Sequence, residues 1–137
     1  MRRCKAKATP LTEKRMSTGM KTIRQELGGR GEELAAAALK KQGYKIIERN
    51  YVTPLGEIDL IAKQKGLLVF IEVKTRQSER FGTPAEAVHP AKQAKLRRLA
   101  DYYLKQKRLG EMPVRFDVVG ITFSAGTPAI EIIVNAF

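Results

Sequence analysis

Cysteine, histidine, long apolar runs and acidic charge are all scarce in this chain of 137 residues. The single cysteine, Cys4, excludes an internal disulfide and every multi-cysteine zinc site. It fits a reducing compartment, so a cytoplasmic setting is expected. The single histidine, His89, gives histidine-based catalysis little to build on; directly before Pro90, it reads as a helix-start residue. The longest wholly apolar run, Leu34 to Leu39, is far short of the ~20 residues that span a bilayer, so no membrane partner is expected. Residues 1–30 hold no hydrophobic block, and no secretory leader is expected. Gly28-Gly29-Arg30-Gly31 has the wrong spacing for a phosphate loop or a dinucleotide fingerprint, and there are no internal repeats.

Positive charge is abundant. Lys and Arg number 26 against 14 Asp and Glu, a formal net charge of +12 and a pI of about 10.1. Residues 1–21 hold seven Lys/Arg and one Glu; the rest hold 19 basic and 13 acidic residues, so each part carries +6. The excess is therefore not confined to a tail. A polyanion is the natural partner, because each Lys or Arg set against a phosphate releases condensed counterions. A lipid-binding helix would want bulky apolar residues opposite its basic face, which favours nucleic acid, DNA above all, over membrane. The length suits one domain that buries roughly two thirds of its unfolded surface. Residues 1–21 mix Lys and Arg with Ser, Thr and Pro10 without periodicity, and are expected to be a disordered basic arm before a single domain over 22–137.

The glycines at 28, 29 and 31 mark a break, after which Glu32 to Gln42 is helical, with Leu34, Ala35, Ala38 and Leu39 on one face and Gly43 as the stop. Tyr44–Val52 is strand-like, and Glu57–Lys63 and Leu67–Thr75 form a hairpin around Gln64-Lys65-Gly66. A loop over Ser78–Pro90 precedes a helix over Ala91–Lys107 with the stripe Leu96, Leu99, Ala100, Tyr103 and Leu104. Val114–Phe123 and Ala129–Phe137 are the closing strands. The order α, β, β, β, α, β, β implies an α/β fold, a mixed sheet flanked by helices.

Leu67–Thr75 reads as a strand buried on both faces, yet Glu72 and Lys74 sit at its end, two apart and on one face. Burying such charges is costly unless they are paired or bind an ion. In G-E-I-D-L-I-A, Glu57 and Asp59 share one face while Ile58, Leu60 and Ala62 take the other. If Gln64 pairs with Leu67, the register carries Asp59 opposite Glu72 and Glu57 opposite Lys74. Opposed carboxylates destabilise a sheet but suit a hard divalent cation. The bland alternative is an ion-pair network of Asp59 and Glu72 with Lys74 and Arg76.

G-E-I-D followed by E-V-K resembles the D…(D/E)-x-K core of the PD-(D/E)XK, or restriction-endonuclease-like, nuclease superfamily. With G-E-E-L-A, G-Y-K-I-I-E-R-N-Y, F-I-E-V-K-T-R, F-G-T-P-A-E-A-V and R-F-D-V-V, the sequence from about Gly28 to Val134 looks like the bacterial YraN-like family, similar to archaeal Holliday-junction resolvases. One departure is Ile58 in place of the Pro before Asp59. The resemblance implies a restriction-endonuclease-like mixed sheet and a metal site of Asp59, Glu72 and the Val73 carbonyl, holding Mg²⁺ or Mn²⁺. That ion would polarise a phosphate and acidify a water. Lys74 would orient the water or offset charge on the phosphorane. Glu57 would take a supporting or second-metal role. Glu32 matches the family's first-helix glutamate, although a helix-start acid facing the dipole fits as well. Gln93 matches an auxiliary active-site glutamine.

Arg76 and Arg80, in the loop after the Glu72 strand, are candidates for phosphate contacts, as are Lys92 and Arg97 on the second helix. A solvated helix face explains the latter two equally well. Asp117 reads as the ion-pair partner of Arg115. The leading reading is a Mg²⁺-dependent endonuclease acting on DNA, branched DNA included. A non-catalytic nucleic-acid-binding protein with the same fold and a small basic RNA- or ribosome-associated protein are the alternatives. Whether the protein is a monomer or a homodimer is open.

Overall fold

The computed structural model describes residues 23–77, 88–123 and 126–137, with side chains from Gly29 onward. Helix α1 (Ile23–Lys41) leads into strands β1 (Lys45–Thr53), β2 (Gly56–Gln64) and β3 (Leu67–Arg76). Helix α2 (Pro90–Gln106) follows, then β4 (Val114–Thr122) and β5 (Ala129–Ile133). The five strands lie side by side in chain order. Only β3 and β4 pair in parallel, with α2 as the crossover between them. This is the expected α/β architecture, a mixed sheet with a helix on each face, consistent with a restriction-endonuclease-like fold.

Each face of the sheet carries its own core. On one, Leu96, Leu99, Ala100 and Tyr103 of α2 cover Ile58, Phe70 and Val118; on the other, Ala35 and Leu39 of α1 cover Leu60, Ile71 and Val119. Strand β3 sits in the middle, and Leu68 to Glu72 are buried in succession, as a strand covered on both faces must be. The β2–β3 turn uses Lys65 and Gly66, both at positive φ, the geometry that lets a two-residue hairpin follow the sheet twist. It sets the anticipated register, from Gln64 opposite Leu67 to Leu60 opposite Ile71. Among the described residues, no helix is long and apolar enough to cross a membrane.

Three expectations need correction. The first helix does not begin after the glycines but runs through them from Ile23. Gly31 is a point of close approach rather than a break, since a Cβ there would lie 2.5 Å from Thr75 Oγ1. The last strand stops at Ile133 instead of reaching Phe137, because Asn135 turns at φ 56° and donates its N–H to Asp117 Oδ1 at 2.9 Å. Phe137 then stacks on Phe116. Asp117 is fully buried and gripped by Arg115 through two hydrogen bonds of 2.8 and 2.9 Å, the expected ion pair, with the Tyr44 hydroxyl at 2.6 Å. The third correction concerns β2 and lies at the site itself. The basic arm at 1–21 and Arg80 lie outside the described residues.

Candidate functional site

Strict alternation along β2 would put Ile58, Leu60 and Ala62 on one face. Instead Ile58 packs into the α2 core while Leu60 and Ala62 pack into the α1 core. The strand turns over at Asp59, which takes no ladder partner on either side. Its neighbour strand turns over at the same level. Tyr51 joins the α2 core, Arg49 lines a cavity with Glu32 of α1, and Asn50 between them adopts the left-handed conformation, φ 50°. Beyond Leu60 and Ile71 the β2–β3 ladder ends, so Asp59 does not sit squarely opposite Glu72 nor Glu57 opposite Lys74. Asp59 reaches sideways, and its Oδ2 accepts the Val73 N–H at 2.8 Å.

The predicted acidic residues therefore straddle the sheet where β2 and β3 part. Glu72, only 6% exposed, takes two lysines on one oxygen, with Lys74 Nζ and Lys92 Nζ each 3.6 Å from Oε2. Glu57 of β2 and Glu32 of α1 meet at Asn50, within reach of the charge of Glu72. With its amide nitrogen turned toward them, Asn50 donates to Glu32 Oε1 at 3.0 Å and to Glu57 Oε2 at 3.1 Å. Asp59 lies between the two groups and feels both. Its carboxyl is pushed up to about 7, first by burial, then by the charge of Glu72 and less by that of Glu32, against the pull of the Val73 N–H and Lys92. Glu32 is raised as well, chiefly by burial, with the Asn50 amide working the other way.

The remaining predicted residues are placed as follows. Gln93, in the first turn of α2, donates its side-chain amide to the Val88 carbonyl at 3.0 Å, so it pins the start of the helix. Arg76 ends β3, half-buried. Arg97 is exposed on α2 with its guanidinium over the rings of Phe116 and Phe137, at 5.6 and 5.3 Å. Lys92, expected on an outward helix face, turns inward to Glu72. The sequence reading missed Asn50. Its signal was available, because Asn is depleted in strands and is the commonest non-glycine residue in the left-handed region.

Among the described residues no three His, Cys, Asp or Glu side chains come close enough to hold an ion by themselves. Oxygen donors are nonetheless gathered here from α1, β2 and β3. Beside Glu32 and Asn50 lies a cavity of about 240 Å³ lined by Gly29, Glu33, Arg49 and Leu60.

The sequence profile described as "Uncharacterised protein family UPF0102" matches residues 31–121, which span every acidic residue of the cluster, both lysines and Gln93. The chain belongs to this family. It is 49% identical over 115 residues to a UPF0102 protein of Syntrophomonas wolfei, covering 84% of this chain and all of that one. A UPF0102 protein of Moorella thermoacetica is 48% identical over 120 residues, 86% of this chain and all of its own. One of Thermodesulfovibrio yellowstonii is 50% identical over 114 residues, 83% of this chain and 97% of its own. The profile match thus covers the second half of α1, strands β1 to β3, helix α2, nearly all of β4 and the acidic cluster together.

Proposed function

We propose that this protein is a nuclease of the restriction-endonuclease-like superfamily, hydrolysing phosphodiester bonds in DNA, branched DNA included, with a divalent cation. The observation that carries this reading is Asp59. It is held in a gap between two strands beside the buried Glu72, and its acidity is weakened first by burial and then by the charge of Glu72. Such a carboxylate is poor structure and a good ligand.

The donor set fits Mg²⁺ or Mn²⁺. Asp59 spends one oxygen on the Val73 N–H and keeps the other, Glu72 adds a carboxylate, and the Val73 carbonyl completes an all-oxygen set. Mg²⁺ is commonly held by one or two carboxylates and takes its other positions from water and phosphate. The bound ion would supply Lewis acidity at the phosphate and a more acidic water. The chain's own residues do the rest. Lys74 sets its ammonium at the same point to orient the water or to meet charge developing on the phosphorane. Glu32 and Glu57, tied by Asn50, keep negative charge on the far side of Asp59. The basic residues of α2 give phosphates a surface to follow, with the Arg97 guanidinium resting over the Phe116 and Phe137 rings.

A second reading, a nucleic-acid-binding protein without turnover, has one observation behind it: Glu72 is already neutralised by two lysines. Mn²⁺ titration calorimetry separates the two, together with cleavage assays on duplex, junction, flap and single-stranded DNA. The nuclease reading expects one strong Mn²⁺ site that is lost in Asp59→Ala together with cleavage. DNA binding with no cutting of any substrate would overturn it.

A further inference from the structure

Lys74 and Lys92 approach the same oxygen of Glu72 from different elements. Lys74 comes from two places along β3, Lys92 from the first turn of α2, and each ammonium lies 3.6 Å from Oε2. The two ammonium groups share one carboxylate oxygen at the mouth of the strand gap, so Glu72 needs only one of them as its ion-pair partner. The placement of Lys92 is built in. The Gln93 N–H donates to the His89 carbonyl at 2.9 Å and its side chain to Val88, which fixes the helix start from which Lys92 leans over the end of β3. A lysine that only tracked the DNA backbone would gain nothing from a buried carboxylate.

We infer that Lys92 belongs to the reaction centre and not to the DNA-tracking face of α2: with substrate bound, one of the two ammonium groups stays near Glu72 and the other meets the scissile phosphate. This rests on the nuclease reading. It makes Lys74 and Lys92 partly interchangeable, two lysines serving one position from a strand and a helix.

The test has two arms. In Mn²⁺ calorimetry without DNA, Lys92→Ala and Lys74→Ala should each tighten binding several-fold, because a positive charge beside a ligand has been removed. Lys105→Ala, in the last turn of the same helix, should leave that affinity unchanged. In kinetics at saturating DNA, Lys92→Ala should lower kcat at least tenfold with KM within about twofold. The Lys74→Ala/Lys92→Ala double variant should lose more than the product of the two single losses, the mark of mutual substitution. Unchanged Mn²⁺ affinity overturns the inference. So does a raised KM with unchanged kcat and a salt slope lower by about one, which is the behaviour of a phosphate-tracking lysine. A wild-type chain that cuts nothing overturns the nuclease reading, while the Mn²⁺ arm still decides where Lys92 acts.

Discussion

At the scale of single residues, Asp59 and Asn50 face each other where two strands turn over. Asp59 titrates near 7 instead of 3.8, for burial first and Glu72 second. A carboxyl raised on folding stabilises fully below its unfolded value, and that stability is lost as pH rises through its folded value. Urea melts without divalent cations should therefore show wild type losing on the order of 4 kcal/mol relative to Asp59→Asn between about pH 4 and 7. A pH-independent difference would mean that neither burial nor the charge of Glu72 raises Asp59. Asn50 offers a cleaner separation of backbone from amide. Asn50→Gly keeps the left-handed backbone at no steric penalty and removes only the donor to Glu32 and Glu57. Its melting temperature should stay close to wild type while Mn²⁺ affinity and cleavage drop several-fold. Asn50→Asp adds a third carboxylate and should cost about 1–2 kcal/mol near neutral pH, recovering in acid.

At the scale of elements, α1 reaches the sheet only because it has glycine where it crosses β3. Gly31→Ala would ordinarily help a helix by nearly 1 kcal/mol. Here the new methyl meets Thr75 Oγ1 at 2.5 Å, so chemical denaturation should instead show a loss of about 1–2 kcal/mol. Thr75→Ala in the same chain should restore it, because the remaining Cβ is at ordinary contact distance, 3.5 Å. The same crossing shows what could be read in advance. The α2 stripe, the hairpin register as far as Leu60 opposite Ile71 and the buried run of β3 follow from local pattern, and these stand in the structure. The glycines looked like a helix break because propensity alone counts against them, and the neighbour that favours them, Thr75, is distant in sequence. The face change at Asp59 was hidden for a similar reason. I-D-L-I-A fits alternation as written, and only Asn50 across the strand and the Val73 N–H beside it reveal the turn-over. Lys92 looked like one more exposed helix cation because Glu72 lies on another element.

At the scale of the whole molecule, the positive excess is divided equally between residues 1–21 and the remainder, +6 each. DNA affinity measured by fluorescence anisotropy should fall steeply with salt, its logarithmic slope following the number of phosphates engaged. Deleting residues 1–21 should weaken binding without abolishing it. The Syntrophomonas wolfei relative is matched along its whole length by 84% of this chain, so comparable proteins exist with less sequence. Salt-insensitive binding, or none after truncation, would contradict a basic surface on the domain. The parallel pairing of β3 with β4 carries one more consequence, for the order of assembly. Asp59 and Glu72 belong to one local hairpin, whereas Lys92 arrives with the long crossover that parallel strands require. Short loops close sooner than long ones, so a refolding chain brings its carboxylates together before the helix lysine is there to balance them. Monovalent salt, by screening that early repulsion, should therefore speed refolding of wild type in stopped-flow experiments and leave Asp59→Asn nearly unaffected.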